Sequence, residues 1–127
     1  MARLLLVCLG GALGSGARYL TALGAAALFG IAFPYGTLIV NIAGSFLVAF
    51  LMQTSMTTEL FSADVRLMLT SGVLGGFTTY STFNYETLQS FRDGAWGVGA
   101  LNVALTLIGC LAAGVAGLAA ARMIFGR

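Results

Sequence analysis

The chain alternates long apolar runs with short polar interruptions. Apolar residues begin at Leu4, continue into the alanine-rich segment from Ala22 to Leu28, and stop near Pro34, the only proline. A residue that locks φ and lacks an N–H marks a turn there. A second run extends from Gly36 to about Met52 and gives way to Gln53, Thr54, Ser55, Thr57, Thr58, Glu59 and Asp64, the clearest loop. The third starts near Val65, but its middle reads Gly75, Gly76, Phe77, Thr78, Thr79. Glycines followed by β-branched threonines are poor helix formers, which predicts a helix broken near its middle. After a polar turn at Arg92, Asp93 and Gly94, the last run goes from Trp96 to Ile124. A helix needs about 20 largely apolar residues to cross a bilayer. The pattern therefore predicts an all-α membrane protein, a single transmembrane domain over residues 1–127 with spans at about 4–32, 36–54, 65–91 and 96–124.

Composition sharpens this. Hydrophobic residues make up 59% of the chain and charged ones 8%, against about 45–50% and about 25% in soluble domains, so little remains for a soluble part. A signal peptide is the rival explanation for the apolar start, but the run is too long and no soluble mature domain follows it. The net charge of +2 comes from arginines alone, without the clustered basic density of a nucleic-acid binder. Histidine is absent, which removes His-based acid–base catalysis, His metal ligation and Ser-His-Asp nucleophiles together; no enzyme is expected. Cys8 and Cys110 lie inside apolar runs and read as small buried residues rather than a disulfide. Gly10 and Gly14 put small residues on one helix face, where helices pack closely. With four spans, Arg3, Arg66, Arg122 and Arg127 share one side and Arg92 lies on the other, a bias that favours cytoplasmic termini.

Polar residues inside spans are costly to bury and are functional candidates by default. Thr37, Asn41 and Ser45 recur at intervals of four in the second span, laying hydroxyl, amide and hydroxyl on one face. Such groups donate hydrogen bonds to a dehydrated anion, or else join helices to one another. Tyr80 and Phe83 share a helix face within a hydroxyl-dense stretch that includes Ser81 and Thr82. Rings presented edge-on help solvate a small anion; packing is the plainer role. The break at Gly75 to Thr78 frees backbone carbonyls at mid-membrane depth, either for a cavity or cation such as sodium or as a simple kink. Arg18 and Glu86 are the ionisable residues well inside spans. They could pair, or Arg18 could line an anion-attracting vestibule or snorkel to the interface.

These residues carry a resemblance. GALGSGAR (Gly11–Arg18), GTLIVN (Gly36–Asn41) with Gly44, and GGFTTYSTF (Gly75–Phe83) followed by Glu86 occur in an order similar to that of the Fluc (CrcB) fluoride channel family over essentially the whole chain. The resemblance implies an antiparallel, dual-topology dimer in the cell membrane, in contact with lipid, with two fluoride pores and a structural sodium ion at the interface. By position, Asn41, Tyr80, Ser81, Thr82 and Phe83 are implied to line the fluoride path, joined by Thr37 and Thr106. Arg18 matches a vestibule arginine, Gly75 and Thr78 match the positions whose carbonyls hold sodium, and Glu86 matches an acidic residue of the third span.

The chain departs from the family pattern in three ways. Tyr80 stands where phenylalanine is usual. Cys110 and Gly114 replace Ser or Thr in the last span, leaving Thr106 as the hydroxyl of that face. The arginine bias is unlike a chain that inserts both ways, which raises a homologous partner subunit as an alternative to a second copy. The implied function is passive, selective export of cytoplasmic fluoride. The other reading is a small proton-coupled multidrug or cation exporter using Glu86, against which stands the lack of an acidic residue in the first span.

Overall fold

The computed structural model describes residues 1–126, so Arg127 and its part in the arginine count lie outside the described residues. The elements are α1 (Ala2–Phe29), α2 (Tyr35–Thr57), α3 (Ala63–Leu67), a π-helical segment (Met68–Leu74), α4 (Gly75–Phe77), α5 (Tyr80–Arg92) and α6 (Trp96–Phe125). Among the described residues there is no strand. Three helices, α1, α2 and α6, are long and apolar enough to cross a membrane. A further passage, third in chain order, runs from α3 to α5 and is interrupted at Thr78–Thr79.

Sequence sets the connections. Pro34 precedes α2, whose first turn accommodates a missing N–H. Ser62 caps α3, its hydroxyl accepting from the Val65 N–H at 3.3 Å. α5 stops at a Schellman closure: Gly94, at φ 76°, donates to Phe91 O at 3.1 Å and Ala95 donates to Ser90 O at 2.8 Å. Phe91 then stacks on Trp96 with ring centroids 5.1 Å apart, which ties the turn to the start of α6.

Two packing seams hold the bundle. Along the first, α1 meets the π segment and α4 backbone to backbone. A β-carbon on Gly72 would sit 3.0 Å from the Gly10 Cα and 3.1 Å from the Val7 carbonyl oxygen, and one on Gly14 would collide with the Val73 carbonyl. These glycines let the axes approach as small-residue membrane interfaces do. Along the second, α2 packs on α6, with Gly117 against the Phe46 carbonyl and with Val40 and Ala121 buried.

The interior is unusual in composition. The buried apolar residues are Ala25, Phe33, Val40, Leu74, Phe83 and Ala121; the buried polar ones, more numerous, are Thr37, Asn41, Thr54, Thr79, Thr87, Asn102 and Thr106. Large apolar side chains such as Leu4, Leu13, Leu20, Ile108 and Leu111 point outward instead, as expected when the surrounding medium is lipid. The cysteines correct the sequence reading: Cys8 is exposed on α1 and Cys110 is half-buried, and both are free. In helices that are apolar all round, periodicity does not say which face is inside.

Gly14→Leu is expected to abolish folded protein, since over-packing a close seam costs about 1–3 kcal/mol or more. Gly97→Ala, at a site with nothing within 4 Å of a β-carbon, is expected to leave the detergent-solubilised protein intact. Size-exclusion profiles and thermal unfolding compare the two.

Candidate functional site

The site is organised by one side chain acting on the broken helix. Thr78 (φ −82°, ψ 158°) and Thr79 (φ −155°, ψ 112°) are extended. In a continuous helix the Thr79 N–H would bond the Gly75 carbonyl. Here it donates to Asn41 Oδ1 at 2.8 Å, while Asn41 Nδ2 donates to the Thr79 carbonyl at 3.0 Å. The buried amide thus pairs with both backbone groups of one residue, as a neighbouring strand would. Gly44, three residues on, leaves the space that the Thr78 methyl fills. The Thr79 hydroxyl caps α5, accepting from the Thr82 N–H at 3.2 Å, donating to Thr82 Oγ1 at 3.0 Å and lying 3.3 Å from Ser81 Oγ.

These caps leave carbonyls without their helical donors. The Thr79 N–H has gone to Asn41, away from Gly75, and the Thr82 N–H has gone to a hydroxyl, away from Thr78. Released carbonyls are hard oxygen donors and suit a hard monovalent cation such as sodium. Among the described residues no group of three His, Cys, Asp or Glu could hold a metal instead.

The predicted site residues divide between two hollows. A groove of about 620 Å³ is lined by Asn41, Ser45, Thr78, Thr79, Tyr80, Phe83, Thr106 and Cys110, among others. Phe83 is buried and Tyr80 is 76% exposed, their ring centroids 5.6 Å apart and tilted by 56°. Ser81 is exposed and Thr82 half-buried, and both gather on Thr79 rather than on the groove wall. Thr37 belongs to the second hollow, of about 430 Å³, with Glu86, Tyr85, Gln89 and Asp93. Its hydroxyl donates to Glu86 Oε1 at 2.9 Å, and Glu86 Oε2 is buried without a partner. Arg18 does not pair with Glu86: among the described residues the one ion pair is Arg3–Asp64 at 2.8 Å. Arg18 is half-buried on α1, away from both linings, where the contribution of α1 is Ala22 and Ala26.

The sequence reading missed two of the residues that join the groove to the bundle. Asn102, 1% exposed, donates from Nδ2 to Thr87 Oγ1 at 3.0 Å, and Thr87 donates to the Phe83 carbonyl at 2.8 Å. Thr106 Oγ1 lies 3.5 Å from Asn102 Oδ1. The available signal was the four-residue spacing of Asn102 and Thr106, the same spacing that singled out Thr37, Asn41 and Ser45.

Comparison with known proteins places the chain in a family. A family model described as CrcB-like protein, Camphor Resistance (CrcB), matches residues 5–118. The protein named "Fluoride-specific ion channel FluC" of Anaeromyxobacter dehalogenans is 55% identical over 126 residues, covering 99% of this chain and 100% of its own. Proteins of the same name are 47% identical over 124 residues in Geobacter sulfurreducens, covering 98% of this chain and all of that one, and 46% identical over 121 residues in Clostridium perfringens, covering 95% and 94%.

Asn41→Leu leaves the Thr79 N–H and carbonyl buried and unpaired and is expected to cost about 2–5 kcal/mol of stability. Ser81→Ala, at an exposed position, is expected to change stability by less than about 0.5 kcal/mol. Thermal unfolding of both variants in detergent measures the contrast.

Proposed function

The chain belongs to the CrcB-like family, and from that membership together with the site geometry we propose that it works as a fluoride-selective channel of the cell membrane. Hydrogen fluoride, a weak acid, crosses the bilayer uncharged and ionises in the cytoplasm; the trapped anion leaves through the protein down its gradient. No catalytic step is involved. The observation that carries this reading is the groove beside the Asn41–Thr79 clamp, whose lining brings together an amide, several hydroxyls and two aromatic rings. Asn41 keeps one amide N–H beyond the one given to Thr79, and Tyr80 and Thr106 add hydroxyls to the same lining. Phe83 and Tyr80 are close enough for both ring edges to meet a small ion. Larger halides need a wider path, which makes spacing the source of selectivity.

The same reading includes a second copy in antiparallel orientation. Support comes from the groove, which is open along one side of the subunit, and from Tyr80 and Ser81, which are exposed beside it; a partner would close the path and cover them. A homologous partner subunit would serve equally, as the arginine bias suggests. Gly75 and Thr78 would offer their carbonyls to a structural sodium ion where the two copies meet. Bound there, sodium would neutralise the carbonyl dipoles that the clamp leaves unpaired. In the second hollow, Thr37 and Glu86 form a polar mouth to the path, and Arg18 attracts anions from the first helix. The proton-coupled exporter is not favoured: the relatives, up to 55% identical, carry the name of a fluoride channel.

Liposomes containing the purified protein are expected to release fluoride far faster than chloride, read with ion-selective electrodes. Phe83→Ile and Asn41→Asp should abolish release. Absence of fluoride efflux above that of empty liposomes, from folded protein, would overturn the homodimeric channel and direct attention to a co-expressed partner. Exchanging sodium for N-methylglucamine is expected to lower the unfolding temperature of the assembled protein, and restoring sodium to recover it; an unchanged temperature would count against the sodium site.

A further inference from the structure

The buried chain from α6 to the Phe83 backbone has no part in what has been said of ion passage. Its centre is Asn102, 1% exposed in the second turn of the apolar helix α6. An amide in such a position is expensive unless its groups are paired. Nδ2 is well paired, to Thr87 Oγ1 at 3.0 Å, and the Thr87 proton goes on to the Phe83 carbonyl at 2.8 Å. α5 is therefore pinned to α6 one turn after Phe83, the aromatic of the groove that is itself buried. Oδ1 is paired poorly. Its donor is Thr106, whose oxygen lies 3.5 Å away, well beyond the roughly 2.5–3.0 Å of an ordinary O–H···O bond.

The asymmetry has a chemical meaning, given that Thr106 lines the groove. A short, strong bond would commit the Thr106 proton to Asn102. A long one to a neutral carbonyl competes weakly with an anion, so the hydroxyl can turn toward the ion at little cost and return when it leaves. We propose that Asn102 is a positioning residue for the anion path: through Thr87 it fixes Phe83 against α6, and through its carbonyl it gives Thr106 a weak resting acceptor that a passing anion displaces. This rests on the channel reading for its effect on flux, though not for its effect on Phe83.

The test compares Asn102→Leu, Thr87→Val and Thr87→Ser with the unmodified sequence, using two readouts. One is fluoride and chloride efflux per folded protein. The other is the ¹⁹F resonance of 4-fluorophenylalanine incorporated at position 83, which reports the ring whether or not the protein conducts. Asn102→Leu and Thr87→Val are each expected to shift or broaden that resonance and to lower fluoride efflux about tenfold, as loss of one well-made buried bond would. The double variant should be no worse than Asn102→Leu alone, which already cuts the link through Thr87. Thr87→Ser, which keeps the hydroxyl, should recover both signals relative to Thr87→Val. Folded Asn102→Leu or Thr87→Val protein with unmoved resonance and unchanged efflux would overturn the proposal. So would variants that lose folded protein while the fraction that folds shows the original resonance, because the role would then be structural only. If the unmodified protein carries no fluoride, the channel reading falls, and the resonance still decides whether Asn102 positions Phe83.

Discussion

Everything in the site hangs on a side chain that impersonates a strand. An extended residue inside a membrane helix exposes an N–H and a carbonyl where water is scarce, and each would cost several kcal/mol if left alone (~2–7 kcal/mol). Asn41 meets both at Thr79. The break is tolerated because that one amide lies opposite it, and the break in turn turns α5 away from α4, starts a new helix at Tyr80 and leaves the Gly75 and Thr78 carbonyls without their usual donors. A local pairing thereby sets the direction of the aromatic pair, the width of the groove and the chemistry of the carbonyls.

The clamp works only if α2 and the broken helix lie close, and glycine makes that possible. Gly44 admits Thr78, Gly10 and Gly72 bring α1 against the π segment, and Gly76 approaches the Gly11 backbone. In such a bundle the driving force is not the removal of apolar side chains from water, since lipid is as apolar as the interior. Close backbone contact and buried hydrogen bonds take over, which is why the interior holds threonines and asparagines while most leucines face outward.

Much of this was legible in the residues. Alternation of apolar and polar stretches marked the helices, and the stretch Gly75 to Thr79 marked the region of the break, which falls at Thr78–Thr79 while Gly75 and Gly76 stay helical. What holds the break was less visible: Asn41 and Thr79 are 38 positions apart, and nothing local to either names the other. Thr37 and Asn41 share a face, but the structure sends Thr37 to Glu86 and Asn41 to Thr79, into different hollows, because different turns of the third passage lie opposite them. Asn102 sat unremarked in an apolar run, although its spacing to Thr106 was available. Cys8 was misplaced because a helix apolar on all sides carries no periodic mark of its inner face.

The broken third passage also disguises the molecule. Its hydroxyls, its π segment and its interruption keep it below the length and apolarity that mark α1, α2 and α6 as membrane helices. Any bookkeeping by hydrophobic windows would therefore count an odd number of crossings and assign the two ends of the chain to opposite compartments. Parity, and with it the side on which a fused reporter would be found, depends on the one crossing that hydropathy hides, the same crossing that brings Thr78, Thr79 and Tyr80 to the groove.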